Sequence, residues 1–391
     1  MKKPVLVQFG AGNIGRSFVG QLFARAGYEV VFVDVDIRLV DELNRRHGYT
    51  VEIHDDPPGK IRVRGVRAVD GRKQEAVVTA LVQADVAATA VGPNALPFIL
   101  PSLAAGLVAR RGRPLELIIA ENLRGAAQVI REGIEPFLPA GFPLDRQLGL
   151  VETSIGKMVP IMPQAVREQD PLLVYAEAYN TLILDRKGFL GPIPQVPGLD
   201  PKDNIAAYVD RKSFIHNLGH AAAAYVAYAH DPALVYLWQA MQVPAVSHLA
   251  ARAMGESADA LMYEYPGEWT RRELEEHISD LLRRFGNRAL GDTIFRVGRD
   301  LPRKLSPSDR LVGALRLQQK HRVDSAATCT AIGLALRFRA VDEQGRLFPA
   351  DEAFATRLKK VGEEAMLAEV SGIRANDPAL PAILAAARTP K

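Results

Sequence analysis

The chain has 391 residues, 48% of them apolar and 24% charged, with a formal charge of +4. That length exceeds what one hydrophobic core holds and predicts two domains. The slight positive balance favours anionic small molecules and points to neither nucleic acid nor a membrane.

One cysteine, Cys329, excludes an internal disulfide and a thiolate-rich metal site, which accords with a reducing cytoplasm. Met1-Lys2-Lys3-Pro4 leads straight into a short apolar run, so no secretory leader is expected. No stretch approaches the ~18 apolar residues of a membrane span.

Residues 5–9 (VLVQF) predict a strand, followed at once by Gly10-Ala11-Gly12-Asn13-Ile14-Gly15. Phe18, Val19, Leu22 and Phe23 then recur at helical spacing until Gly27. Residues 30–33 form a second strand, closed by Asp34, and the whole reads as a βαβ unit. Residues 51–53 and 61–63 predict an inserted hairpin, with turn residues at 55–59 between them. Further strands fall at 85–91, ending in Gly92-Pro93, at 115–120, ending in Glu121-Asn122, and at 148–153. Alternating strands and helices predict a doubly wound, mostly parallel α/β sheet. The glycine- and proline-rich stretch 187–201 reads as a linker, and beyond it the pattern is helical to the end. The expected division is an α/β domain over 1–190 and an all-α domain over 191–391.

A lone glycine triplet of this kind is weak evidence. Between a strand and a helix, and before a strand that ends in an acid, it predicts a dinucleotide site. Gly10 would allow the tight turn, Gly12 would let the backbone approach a diphosphate, and Gly15 would let helix and strand pack closely. The diphosphate would sit at the helix start, where free N–H groups favour an anion. Asp34 would accept the adenosine ribose hydroxyls and repel a 2′-phosphate, so NAD is expected rather than NADP, with Arg38 nearby acting against that preference. Asp36 reads as a helix cap or a solvated turn.

The second cluster is Lys212-Ser213-Phe214-Ile215-His216-Asn217-Leu218-Gly219-His220, ahead of a small apolar run. At ~100° per residue, Asn217 lies about 140° from Lys212 and His220 about 80°, on one broad face. A lysine buried there loses solvation and becomes a plausible general base. The bland reading is a helix-packing face with satisfied polar groups. His216 and His220 have the spacing of a zinc pair, but the glutamate of that motif is absent and no metal is expected.

The stretches FGAGNIGRSFVG (9–20), VDVD (33–36), TAVGP (89–93), ENLRG (121–125), DRKSFIHNLGH (210–220) and PRKLSPSDRL (302–311) come in the order found in the polyol-specific long-chain dehydrogenases, which the chain resembles over nearly its whole length. The resemblance implies a Rossmann domain, a helical substrate domain and a site in the cleft between them. Phe9, Gly10, Ala11, Gly12, Asn13, Ile14 and Gly15, with Asp34, Thr89, Val91 and Gly92, would hold NAD. Lys212 would be the general base, Asn122 and Asn217 would donate to the developing alkoxide, and His220 would hold the substrate, without zinc. The alternative for Asn122 is a helix cap. The reaction implied is reversible oxidation of D-mannitol 1-phosphate to D-fructose 6-phosphate, by a monomer or small homo-oligomer in the cytoplasm. Arg303, Lys304 and Arg310 could bind the phosphate. They could equally be a solvated loop in an enzyme for a free polyol or hexonate. The match departs at Gly156-Lys157, at Thr181-Leu182 and around His321, all of them pocket-wall positions. A dinucleotide sensor without turnover would have no use for the lysine.

Overall fold

Val5–Phe9 forms strand β1, and all five residues are buried. A strand covered on both faces needs a nearly unbroken apolar run; the one polar side chain, Gln8, turns its amide to the Phe9 carbonyl at 2.7 Å. The computed structural model describes residues 3–388. Its later strands are β2 Glu29–Asp34, β3 Gly48–Ile53, β4 Gly59–Arg64, β5 Val66–Asp70, β6 Val86–Thr89, β7 Leu115–Ile119, β8 Leu148–Ser154, β9 Val174–Ala176, β10 Leu182–Asp185 and β11 Leu199–Lys202.

Eight of these make one sheet in the order β11-β10-β8-β7-β6-β1-β2-β5. The pairs from β5 through β8 are parallel, and β10 runs antiparallel to β8. The chain builds outward from β1 to β2 and β5, then returns to its other side with β6, β7 and β8. The crevice at that reversal, beyond the carboxyl ends of β1 and β6, is where such sheets bind ligands. Successive residues of β1 serve opposite faces. Leu6 joins a core with Phe18, Val19, Leu22, Phe23 and Phe32, while Val5, Val7 and Phe9 join another with Leu81, Leu103 and Ile130. Each such buried side chain contributes roughly 1.5–3 kcal/mol of transfer free energy. The expected hairpin is present as antiparallel β3 and β4, and β9 extends it to three strands.

Compact units divide after Val209, as Met1–Val209 and Asp210–Lys391, rather than after residue 190. The stretch read as a linker carries β11, which pairs in parallel with β10 at the sheet edge. Pro201 is tolerated there because an edge strand has one side without ladder bonds.

The second unit is helical. Leu218–His230 is its centre, with Ala221 to Ala224, Tyr225 and Ala227 buried. Pro244–Glu264, Arg271–Phe285, Val312–His321 and Ala326–Leu336 are the main helices of the unit, with Pro349–Val361, Glu363–Ser371 and Leu380–Arg388 at its end. Small side chains let the central helix be approached closely: a Cβ at Gly219 would overlap the Met254 side chain. Among the described residues no helix is long and apolar enough to cross a membrane.

Candidate active site

The glycine turn follows β1 directly. Gly10 has φ +87°, and a Cβ there would overlap the Ala90 carbonyl; a Cβ at Gly15 would overlap the Gly10 carbonyl. Gly12 differs, for nothing lies within 4 Å of where its Cβ would stand. One glycine thus serves conformation, one packing, and one leaves open space beside the backbone. Gly12 and Asn13 are exposed, whereas Phe9, Ala11 and Gly15 are buried and Ile14 is half-buried. Arg16, which the sequence reading passed over, braces the turn: its guanidinium is buried and donates to the carbonyls of Ala11 at 2.6 Å and Pro171 at 2.8 Å. Burial holds its pKa down to about 10.

Asp34 ends β2 and accepts the Ala11 N–H at 2.7 Å and the Asp36 N–H at 3.0 Å. Asp36 caps the helix Ile37–Arg46 through the N–H groups of Arg38 and Leu39, the first of the two roles expected for it. The Arg38 guanidinium donates to the Glu168 carbonyl at 2.9 Å. A cavity of about 340 Å³ opens beside this carboxylate, lined by Gly10, Gly12, Asp34, Val35, Val77 and Phe98 among others. Open backbone at Gly12, an acid at the strand end and an apolar slot with room for a planar base together fit an adenine dinucleotide.

At the adjacent strand ends, Glu121 is buried and accepts the Val91 and Gly92 N–H groups, each at 2.8 Å. Burial raises its pKa while those bonds oppose the rise. Thr89, buried, closes β6. Asn122 follows β7 and is exposed. Gly125 stands at the start of Ala126–Ile134, and the Ala127 N–H goes to Glu152 at 2.9 Å.

Lys212, Asn217 and His220 belong to the second unit. Lys212–Asn217 is not a regular α-turn but a wide π-turn, whose Leu218 N–H reaches the Ser213 carbonyl five residues back. That closure sets Asn217 one turn above Lys212, closer to it in projection than a regular helix allows. Burial holds the Lys212 ammonium down to about 8; Arg310 and Arg303 push the same way and Asp309 opposes them. His216 is buried and kept neutral, by burial first and then by Arg284. His220 lies stacked on Phe285, ring centroids 4.7 Å apart, with Nε2 3.2 Å from the buried Asp292 carboxylate.

The basic cluster is ion-paired, with Arg303 exposed and Lys304 buried. Arg310 donates to Asp309 at 2.7 Å, and Arg303 pairs with Asp300 and Asp309. The Lys304 side chain is buried, donates to the Arg299 carbonyl and is held down to about 7 by burial and by Arg310. Lys157, at a departure from the family pattern, donates to the Glu177 and Tyr179 carbonyls and to Asn180, and so pins the segment before β10. Among the described residues no three His, Cys, Asp or Glu side chains gather as a metal site.

In a sheet of this topology, such a turn defines a dinucleotide-binding domain of the Rossmann kind. Residues 4–198 match the mannitol dehydrogenase Rossmann domain, and residues 204–382 match the mannitol dehydrogenase C-terminal domain. The chain belongs to the mannitol dehydrogenase family and is an NAD-dependent polyol dehydrogenase. It is 35% identical, over 95% of its length and 94% of the relative's, to mannitol-1-phosphate 5-dehydrogenase of Brevibacillus brevis (strain 47 / JCM 6285 / NBRC 100599). Its fold is that of substrate-free D-sorbitol dehydrogenase (TM-score 0.76, 15% identity, 94% of this chain and 88% of that one). It is also that of Pseudomonas fluorescens mannitol 2-dehydrogenase, solved with NAD and D-mannitol (TM-score 0.73, 15% identity, 98% and 90%).

Proposed function

We propose that this protein interconverts D-mannitol 1-phosphate and D-fructose 6-phosphate, with NAD and without a metal. The observation that carries the reading is the desolvated amine of Lys212, held to about 8 in the electrostatic neighbourhood of Arg303 and Arg310. An amine with that pKa is a base at physiological pH, and two guanidinium groups suit a phosphate dianion. The relative named for this substrate supports the choice.

Bound NAD would supply the hydride acceptor, held by Phe9 to Gly15, Asp34, Thr89, Val91 and Gly92. Lys212 removes the hydroxyl proton as the substrate is oxidised and returns it in reduction. Asn122 and Asn217 donate to the oxygen as its charge develops, a role worth several kcal/mol where water is excluded (about 3–4 kcal/mol per donor). His220 holds a substrate hydroxyl. Arg303 and Arg310 exchange part of their pairing with Asp300 and Asp309 for the phosphate, with Lys304 adding charge from beneath.

Those pairings also give substance to a second reading, in which the cluster is structural and the substrate is a free polyol or a hexonate. Purified protein with NADH is offered fructose 6-phosphate, then free fructose and hexonate-derived ketones. A large preference for the phosphorylated ketose is expected. Turnover of the free sugars alone would transfer the function to the second reading.

A further inference from the structure

His220 has two ring nitrogens, and their surroundings differ. Nε2 is enclosed and lies 3.2 Å from Oδ2 of Asp292, the acceptor nearest to it, without the alignment of a full hydrogen bond. Nδ1 has no hydrogen-bond partner among the described residues. The Asp292 side chain is 5% exposed, and its other oxygen is taken by Arg296 one helical turn on. Burial favours the acid form of Asp292, but His220 and Arg296 outweigh it and keep the carboxylate ionised. An ionised carboxylate only accepts, so it requires the proton to be on the nitrogen it faces. Phe285, 2% exposed and tilted only 17° from the imidazole plane, closes one face of the ring and resists a flip that would exchange the two nitrogens.

We propose that Asp292 is a positioning residue: it fixes neutral His220 as the Nε2–H form, so that Nδ1 presents a lone pair to a hydroxyl of the substrate. The inference rests on the proposed contact between His220 and substrate and deepens it. A lone pair at that place accepts from an alcohol and repels a carbonyl or phosphate oxygen. His220 therefore reads a hydroxyl that stays a hydroxyl through the reaction, beside the carbon that is oxidised. The polar group buried behind the ring decides which chemical group is admitted in front of it, as in other histidines held by a carboxylate.

The test is a long-range ¹H–¹⁵N spectrum of the full-length protein labelled at histidine, with the His220 signals assigned by their loss in His220→Gln. The wild type is expected to show a protonated Nε2 and an unprotonated Nδ1, and a protonated Nδ1 overturns the proposal with no need for a variant that folds. Asp292→Asn offers an amide N–H that favours the other tautomer. It is expected to mix or invert the tautomers and to raise KM for fructose 6-phosphate by ~10-fold or more, leaving KM for NADH unchanged. Asp292→Glu should restore most of the loss, which an effect on packing alone would not do. An unchanged tautomer and unchanged KM in Asp292→Asn also overturn the proposal. The two readings fail differently. If His220→Gln raises KM but the wild-type proton sits on Nδ1, only this inference falls. If His220→Gln and Asp292→Asn both keep wild-type KM and turnover, the imidazole does not touch substrate and the proposed contact falls with it.

Discussion

Glu121 and Gly92 are joined across the ends of β7 and β6 by a 2.8 Å hydrogen bond from the glycine N–H to the buried carboxylate. The other carboxylate oxygen takes the Val91 N–H at the same distance. One side chain thereby ties the turn assigned to the dinucleotide to the segment that carries Asn122. Glu121→Ala leaves two N–H groups without that acceptor, each worth about 1–3 kcal/mol when buried. A loss of about 2 kcal/mol or more is expected, seen as a Tm lower by roughly 5 °C or more. KM for NADH should rise as well. A Tm drop with intact cofactor binding would make the bond purely structural.

Lys212→Ala should lower turnover by about 10²–10⁴-fold, the usual contribution of a positioned base. NADH affinity, measured by fluorescence titration, should stay nearly constant, because the residues assigned to the dinucleotide lie in the first unit. Full activity in this variant would remove the base assignment.

The same amine sets a pH dependence whose sign is fixed. Oxidation needs the neutral form, so its kcat/KM should climb with pH and level off above about 8. Reduction needs the protonated form and should decline over the same range. Lys304, held to about 7, is a second amine that could titrate nearby. Lys304→Met should leave the limb near 8 in place, whereas a shifted or missing limb would assign it to Lys304. Stability moves with pH in the same direction as oxidation. The Lys212 ammonium binds its proton less tightly in the folded chain than at the ordinary 10.5. At pH 7, below both values, the fold bears that cost in full, and it is relieved as pH rises from about 8 toward 10.5. Lys212→Met should therefore melt higher at pH 7, by something on the order of 1–3 kcal/mol.

Asp34→Ser removes the acceptor assigned to the ribose and the charge that opposes a 2′-phosphate. The ratio of kcat/KM for NAD over NADP should fall by about tenfold or more. A ratio that does not move would place the discrimination elsewhere.

Dialysis against EDTA should leave the rate of fructose 6-phosphate reduction unchanged. Loss of activity that added zinc restores would end the metal-free reading.

How far the sequence could be read depended on whether the signal was local. β1, β2, β6, β7 and β8 are buried on both faces, so their apolar runs stand out, and the glycine turn and Asp34 lie within one βαβ unit. β9, β10 and β11 are three or four residues long. β9 and β11 are edge strands, and β11 contains a proline, so pattern alone makes such short pieces loop. The π-turn at Lys212–Asn217 has no compositional mark, and helical projection at a regular angle put Asn217 too far round. Glu121, Arg16 and Asp292 act through partners 30, 155 and 72 positions away; nothing in a single sequence pairs His220 with a residue that far along the chain.

A π-turn is a regular helix carrying one residue too many, and it is usually less comfortable than the helix it interrupts. Were these same residues wound as an ordinary spiral, the segment would be firmer, and the amide would stand about 140° around from the amine. Natural selection on this stretch therefore faces two opposed demands. Any lineage that winds these residues regularly would gain rigidity and lose the proposed pairing of amine and amide.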